Sequence, residues 1–207
     1  MDTHKQYSFL ALGDSYTVGE AVAEEESWPM QLANRLQQDS IALNVQIVAE
    51  TGWTTDELLS GIIKADIDKS FDLVSLLIGV NNQYRGLDED QFEKEFKVLL
   101  DEAIKFANGN NHHVFVVSIP DYGVTDFVRK EGLDPIKISR ELDSYNAIAQ
   151  KISILRDVTF VNISPLSRKA VDDPTLIAAD GLHPSGAMYG QWVELMYQQV
   201  YQNLSAR

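Results

Sequence analysis

Leu10-Ala11-Leu12-Gly13-Asp14-Ser15-Tyr16-Thr17-Val18-Gly19 is the stretch from which the rest of the chain can be placed. An apolar run from Tyr7 to Leu12 stops at Gly-Asp-Ser, and no helical period follows at once, so it reads as a buried strand that delivers a serine to the tip of a sheet. Gly13 allows a tight turn there and Gly19 lets the chain leave without a side-chain clash. A serine exposed on a rigid element has the placement a nucleophile needs.

Downstream, strand and helix patterns alternate. Ser27 and Pro29 suit the start of a helix carrying Leu32, Ala33 and Leu36. Val45 to Ala49 reads as a second strand, broken by Thr51-Gly52-Trp53. Thr54 and Glu57 have capping-box spacing ahead of a helix with Leu58, Leu59, Ile62 and Ile63 as its apolar stripe. Asp72 to Ile78 is a third strand, ending in Gly79-Val80-Asn81-Asn82. Phe92, Phe96, Leu99, Leu100 and Ala103 share one face of a long helix. Val114 to Ile119 is a fourth strand, followed by an irregular loop from Pro120 to about Pro135. Ile138, Leu142, Tyr145, Ala149 and Ile152 mark the next helix, and Val158 to Ile163 a fifth strand. A second irregular stretch, residues 164–184, leads into a last helix that starts near Pro184 and Ser185 and carries Met188, Trp192, Leu195, Met196 and Val200.

This alternation predicts an α/β fold, one doubly wound parallel sheet of five strands in the order 2-1-3-4-5. The third and fourth strands are near-continuous apolar runs, as central strands are, whereas Gln46, Thr159 and Asn162 suit the second and fifth to the edges. With 207 residues and no linker or repeat, the chain reads as a single domain over 1–207.

Bulk properties narrow the function. A net charge of −14 repels phosphate backbones and anionic lipid, which disfavours nucleic acid and membrane surfaces as partners. The absence of cysteine removes disulfides, thiolate metal sites and a cysteine nucleophile. No apolar run approaches membrane-spanning length, and the N-terminus lacks a signal-peptide pattern, so a cytoplasmic location is expected. No metal-ligand spacing occurs, and no metal or cofactor is expected. Nothing in the sequence fixes an oligomeric state.

Ligands of such sheets bind beyond the carboxyl ends of the strands, where Ser15, Gly52, Asn81, Asp121, Asp180 and His183 all fall. A serine nucleophile needs a base, and the chain has four histidines. His4 belongs to a mobile start, while His112 and His113 precede the fourth strand and so sit at the far end of the sheet. His183 remains. Asp180, three residues earlier, shares a face with it on a helical type of turn and can hold one ring nitrogen. The N–H groups of Ser15 and Gly52 and the Asn81 amide are candidate donors to an oxyanion.

Gly13-Asp14-Ser15, Gly52, Gly79-Val80-Asn81 and Asp180-Gly181-Leu182-His183-Pro184 together resemble, in order, the four blocks of the SGNH, or GDSL, hydrolase family. The resemblance implies a flavodoxin-like three-layer α/β/α fold and hydrolysis of esters or thioesters through an acyl-enzyme. It carries over Ser15 as nucleophile, His183 as base, Asp180 as its orienter, and Ser15, Gly52 and Asn81 as the oxyanion hole. Asn82 stands where the family often has aspartate. The segment Pro120 to Phe127 resembles the specificity loop of lysophospholipase- and thioesterase-like members, and Trp53, Tyr84, Tyr122 and Phe127 are candidate walls of an acyl pocket. A small-molecule acyl ester or thioester is the expected substrate, a short-chain ester first and a lysophospholipid or acyl thioester as the alternative. The lack of a signal peptide argues against a secreted polysaccharide deacetylase. A different class also suits the fold, a flavodoxin-like binding protein holding a flavin phosphate at residues 15–17, but it leaves Asp180 and His183 without a role.

Overall fold

A computed structural model describes residues 5–205; His4, assigned above to a mobile start, lies outside them. Five parallel strands, β1 (Lys5–Gly13), β2 (Ile41–Ala49), β3 (Leu73–Leu77), β4 (Val114–Val117) and β5 (Thr159–Val161), form one sheet in the order β2-β1-β3-β4-β5. Phe9, Leu10, Ala11 and Leu12 of β1 are all fully buried, as are their counterparts in β3 and β4, because helices cover both faces. The edge strands β2 and β5 are only partly buried, in keeping with their polar residues.

The helices are α1 (Ser15–Val18), α2 (Trp28–Gln37), α3 (Thr55–Ala65), α4 (Val80–Tyr84), α5 (Glu89–Phe106), α6 (Asp126–Lys130), α7 (Pro135–Leu155), α8 (Ser164–Ser167) and α9 (Gly186–Ser205). The expected stripes of α5 and α7 are buried as read. Two stripes are narrower than their patterns suggested: Ile63 of α3 is 79% exposed and Leu195 of α9 is 51% exposed, each lying at the margin of its helix's buried arc.

Several local expectations change. A helix does follow the first strand at once. It is only one turn long, too short to carry a hydrophobic period. Residues 120–135 and 164–184 are not merely irregular, since they hold α6 and α8. The second strand starts at Ile41, ahead of Val45. Ser27 does occupy the position before α2, but its hydroxyl donates to the Glu24 carbonyl at 2.8 Å instead of capping the helix. The last helix starts at Gly186, just beyond Pro184 and Ser185. Because all strands run the same way, the loops after β1, β2, β3, β4 and β5 converge on one rim.

Candidate active site

The turn from β1 into α1 is held by packing. A Cβ on Gly13 would sit 2.2 Å from Thr17 Oγ1 and 2.5 Å from the Leu77 carbonyl, so only glycine lets α1 fold back against the strand ends. Close approach, and not an unusual turn conformation, is what Gly13 provides; its φ is not positive. Gly19 closes α1 in the left-handed region at φ +83°, its N–H donating to the Ser15 carbonyl. Asp14 caps the helix, with Oδ1 accepting from the Tyr16 N–H at 3.0 Å. Ser15 is therefore the first residue of α1, and its N–H has no acceptor among the described residues. Asp14 itself is fully buried. Burial pushes its carboxyl up to about 7, and its second oxygen meets no donor among the described residues.

Across the rim, the loop after α8 presents Asp180 and His183. The helical turn expected between them is absent. Instead Asp180 Oδ1 accepts from the N–H groups of Leu182 (2.9 Å) and His183 (3.0 Å), a side-chain turn made feasible by Gly181 at φ +76°. Two further bonds pin this loop: Ala178 N–H to the His183 carbonyl at 2.8 Å, and Phe127 N–H of α6 to the Gly181 carbonyl at 3.0 Å. Asp180 Oδ2 then lies 2.6 Å from His183 Nδ1, and His183 Nε2 lies 3.1 Å from Ser15 Oγ.

Donor and acceptor roles follow from chemistry. Burial pushes the Asp180 carboxyl up, but the bonds from the His183 ring and from the two N–H groups outweigh it and hold the group below the usual carboxylate range. An ionised Asp180 can only accept, so Nδ1 carries the proton, Nε2 is left with its lone pair, and the Ser15 hydroxyl is the donor toward it. Tyr16 and the His183 ring form a T-shaped pair at 5.7 Å between centroids, which helps fix the imidazole plane.

Gly52 and Asn81 come to the same place. Gly52 sits at φ +88°, a conformation costly for other residues, and its N–H has no acceptor among the described residues. Its carbonyl accepts from Arg85 Nη2 at 2.6 Å. Asn81 Nδ2 donates to the Trp53 carbonyl at 2.9 Å, which orients the amide and leaves its second hydrogen for another acceptor.

A cavity of about 200 Å³ joins these groups, lined by Ser15, Gly52, Asn81 and His183 and also by Tyr84, Tyr122 and Phe127. Tyr84 meets Tyr122 in a T-shaped contact and Phe127 at a tilt, at 6.3 Å between centroids in each case. The Tyr122 hydroxyl is anchored on Gln83 Oε1 at 2.8 Å. Trp53, expected in this wall, is not there: its ring lies on Gly61 of α3, so close that a Cβ on that glycine would be 2.2 Å from the indole. Sequence reading missed Tyr16, Thr51, Val80 and Leu182, which also line the cavity. Each is a chain neighbour of a residue that was found, and that adjacency was the available signal.

His112 and His113 lie just before β4, at the opposite end of the sheet, and His113 borders a depression formed with Ser8 and Asp72. Among the described residues no three or more His, Asp or Glu side chains are grouped as metal ligands, and no helix is long and apolar enough to cross a membrane.

Comparison with solved structures finds the same fold at low sequence identity. TesA superposes with a TM-score of 0.73 at 17% identity, over 93% of this chain and 97% of that one. The psychrotrophic esterase EstA from Pseudoalteromonas sp., in a structure inhibited by monoethylphosphonate, gives 0.73 at 16% over 96% and 98%. A family 3 carbohydrate esterase from Clostridium thermocellum gives 0.73 at 21% over 98% of both chains. No curated protein sequence matches the chain significantly. The sequence model of the GDSL-like Lipase/Acylhydrolase family, by contrast, matches residues 11–191, a span that runs from β1 into α9 and includes every loop of the rim. The chain belongs to the GDSL-like Lipase/Acylhydrolase family and is an ester hydrolase.

Proposed function

We propose that the chain is a serine esterase that works through an acyl-enzyme and prefers short acyl groups. The observation that carries the reading is the pair of contacts on one imidazole, 3.1 Å from Nε2 to Ser15 Oγ and 2.6 Å from Nδ1 to Asp180. In the first half-reaction His183 Nε2 takes the Ser15 hydroxyl proton while Oγ bonds to the ester carbonyl carbon. The C–O bond to the alcohol then breaks, and His183 returns the proton to the leaving oxygen. Water repeats the sequence on the acyl-serine, releasing the acid and restoring Ser15. Asp180 stabilises the imidazolium formed in each half and keeps the proton on Nδ1.

The developing oxyanion would be met by the Ser15 and Gly52 N–H groups and by the second Asn81 hydrogen. The Ser15 N–H is also the first of α1, where the partial positive charge of a helix N-terminus favours an anion. The flavin-binding alternative gives these contacts no role.

Cavity size supports the short-chain preference. About 200 Å³ falls below the ~300 Å³ at which pockets begin to hold drug-sized ligands, and three aromatic rings line it. Substrates come to this chain as small-molecule esters. The test is a graded series of p-nitrophenyl esters, with acetyl to butyryl expected to turn over fastest.

A further inference from the structure

Asn82, which stands where the family often has aspartate, is buried one residue beyond Asn81, and its side chain reaches α3. Its Oδ1 accepts from the Thr55 N–H at 3.1 Å, and its Nδ2 donates to Thr55 Oγ1 at 2.7 Å. A backbone N–H can only donate, so the orientation of the amide is fixed by chemistry. The Thr55 hydroxyl, having accepted from Asn82, donates onward to Glu95 Oε2 on α5. The result is a directional chain: amide to hydroxyl to carboxylate. Glu95 Oε1 is held in turn by Gln91 Nε2 at 2.7 Å.

This chain grips the segment that carries one oxyanion donor and starts from the helix that carries the other. Asn81 holds the Trp53 carbonyl, Asn82 holds Thr55, and Arg85 spans the Gly52 carbonyl and Glu57 Oε1, at 2.6 and 3.2 Å. Glu57 accepts from the Thr54 N–H at 2.9 Å, closing the grip at the start of α3. Gly52, Trp53, Thr55 and Glu57 are therefore each bonded to α4 or to Arg85 at its end.

An aspartate at 82 has no proton to give Thr55 Oγ1. The single hydroxyl proton of Thr55 would then be contested by two carboxylates, and the loser would face bare lone pairs with its charge partly buried. Asn82 is thus matched to Glu95: with a carboxylate at 95, only an amide at 82 completes the chain.

We propose that Asn82 is a positioning residue which, acting through Thr55 and in register with Glu95, sets the separation of Gly52 N–H and Asn81 Nδ2 in the oxyanion hole. This rests on the serine-esterase reading above. The chain also has a reversed form: with Asp at 82 and Gln at 95, the Gln amide donates to Thr55 Oγ1 and the Thr55 proton goes to the aspartate.

The test is a double-mutant cycle on the whole chain with its best p-nitrophenyl ester, measuring kcat, KM and melting temperature for Asn82→Asp, Glu95→Gln and the pair. Asn82→Asp alone should lower kcat by roughly 10–10²-fold with KM near the parent's, since misplacement of about 1 Å carries a penalty of that size. Glu95→Gln alone should stay within about threefold of the parent, because the amide oxygen at 95 can accept the Thr55 proton in place of the carboxylate. The double variant should recover most of the lost kcat. If Asn82→Asp fails to fold, a folded and active double variant supports the pairing equally. Parental kcat in Asn82→Asp, or a double variant no better than that single, overturns it. Ser15→Ala runs alongside: if that protein still hydrolyses ester the serine-esterase reading fails, whereas an inactive Ser15→Ala beside an unaffected Asn82→Asp sinks only the positioning role.

Discussion

Ser15 and His183 are separated by 168 positions in the chain, yet the serine hydroxyl lies 3.1 Å from the imidazole Nε2. Two short-range devices produce this long-range contact. Asp14 caps the one-turn helix that starts at Ser15, and Asp180 folds its own loop by accepting from Leu182 and His183 before it touches the ring. Each aspartate shapes backbone, so each is more than a charge beside Ser15 or His183.

Asp14 makes stability depend on pH with a definite sign. Its folded value of about 7, against the usual 3.8, means the unfolded chain releases a proton that the folded one keeps. The stability is fully present below about pH 4 and is lost as pH rises toward 7. At ~1.4 kcal/mol per pH unit, the loss levels off at about 4 kcal/mol. The Asp14→Asn variant carries an amide there that cannot ionise, so the melting-temperature difference between variant and parent should move in the variant's favour from pH 4 to pH 7.5. A difference that stays constant over that range would show that Asp14 ionises freely in the folded protein.

Asn81→Ala removes a proposed oxyanion donor and its bond to the Trp53 carbonyl. A drop of ~10²–10³-fold in kcat with KM little changed is expected, as for a contact made chiefly in the transition state. Circular dichroism and a melting curve establish that the variant is folded. A folded Asn81→Ala protein with full kcat would leave the residue a loop anchor only.

The aromatic wall should set acyl length. Tyr84 is 55% exposed and leans on Tyr122 and Phe127, so shortening it opens the cavity outward with little loss of core. Tyr84→Ala should move the optimum of a p-nitrophenyl ester series toward longer chains while the parent peaks at or below butyryl. A parent rate that climbs steadily to long-chain esters would contradict the short-chain reading and favour a lysophospholipase-like or thioesterase-like substrate.

Much of this was legible in the sequence. The strand order, the edge and centre strands and the sorting of His183 from His112 and His113 all follow from hydrophobic runs and one topological rule. Local side-chain turns were not legible. Asp180 bonds to two backbone N–H groups, an arrangement whose residue spacing is the same as that of a helical turn. Trp53 shows a second limit: an aromatic next to a site glycine has two sides to choose from, and Gly61, further along on α3, provides the flat surface that draws it off the cavity. Arg85 was invisible because its partner is the Gly52 carbonyl, and backbone acceptors carry no residue-type signal.

The central claim is that Ser15 is activated by His183, and covalent labelling by a fluorophosphonate probe tests it most directly. An unassisted serine hydroxyl is a weak nucleophile at neutral pH, so rapid labelling at one site reports an adjacent base. The parent should label at Ser15, identified by peptide mass spectrometry, and Ser15→Ala should not label. Folded His183→Ala should label far more slowly, and Asp180→Asn should slow as well, by up to ~10⁴-fold if the wrong tautomer is stabilised. His112→Ala and His113→Ala should label like the parent. A folded His183→Ala protein that labels at the parental rate would contradict the account.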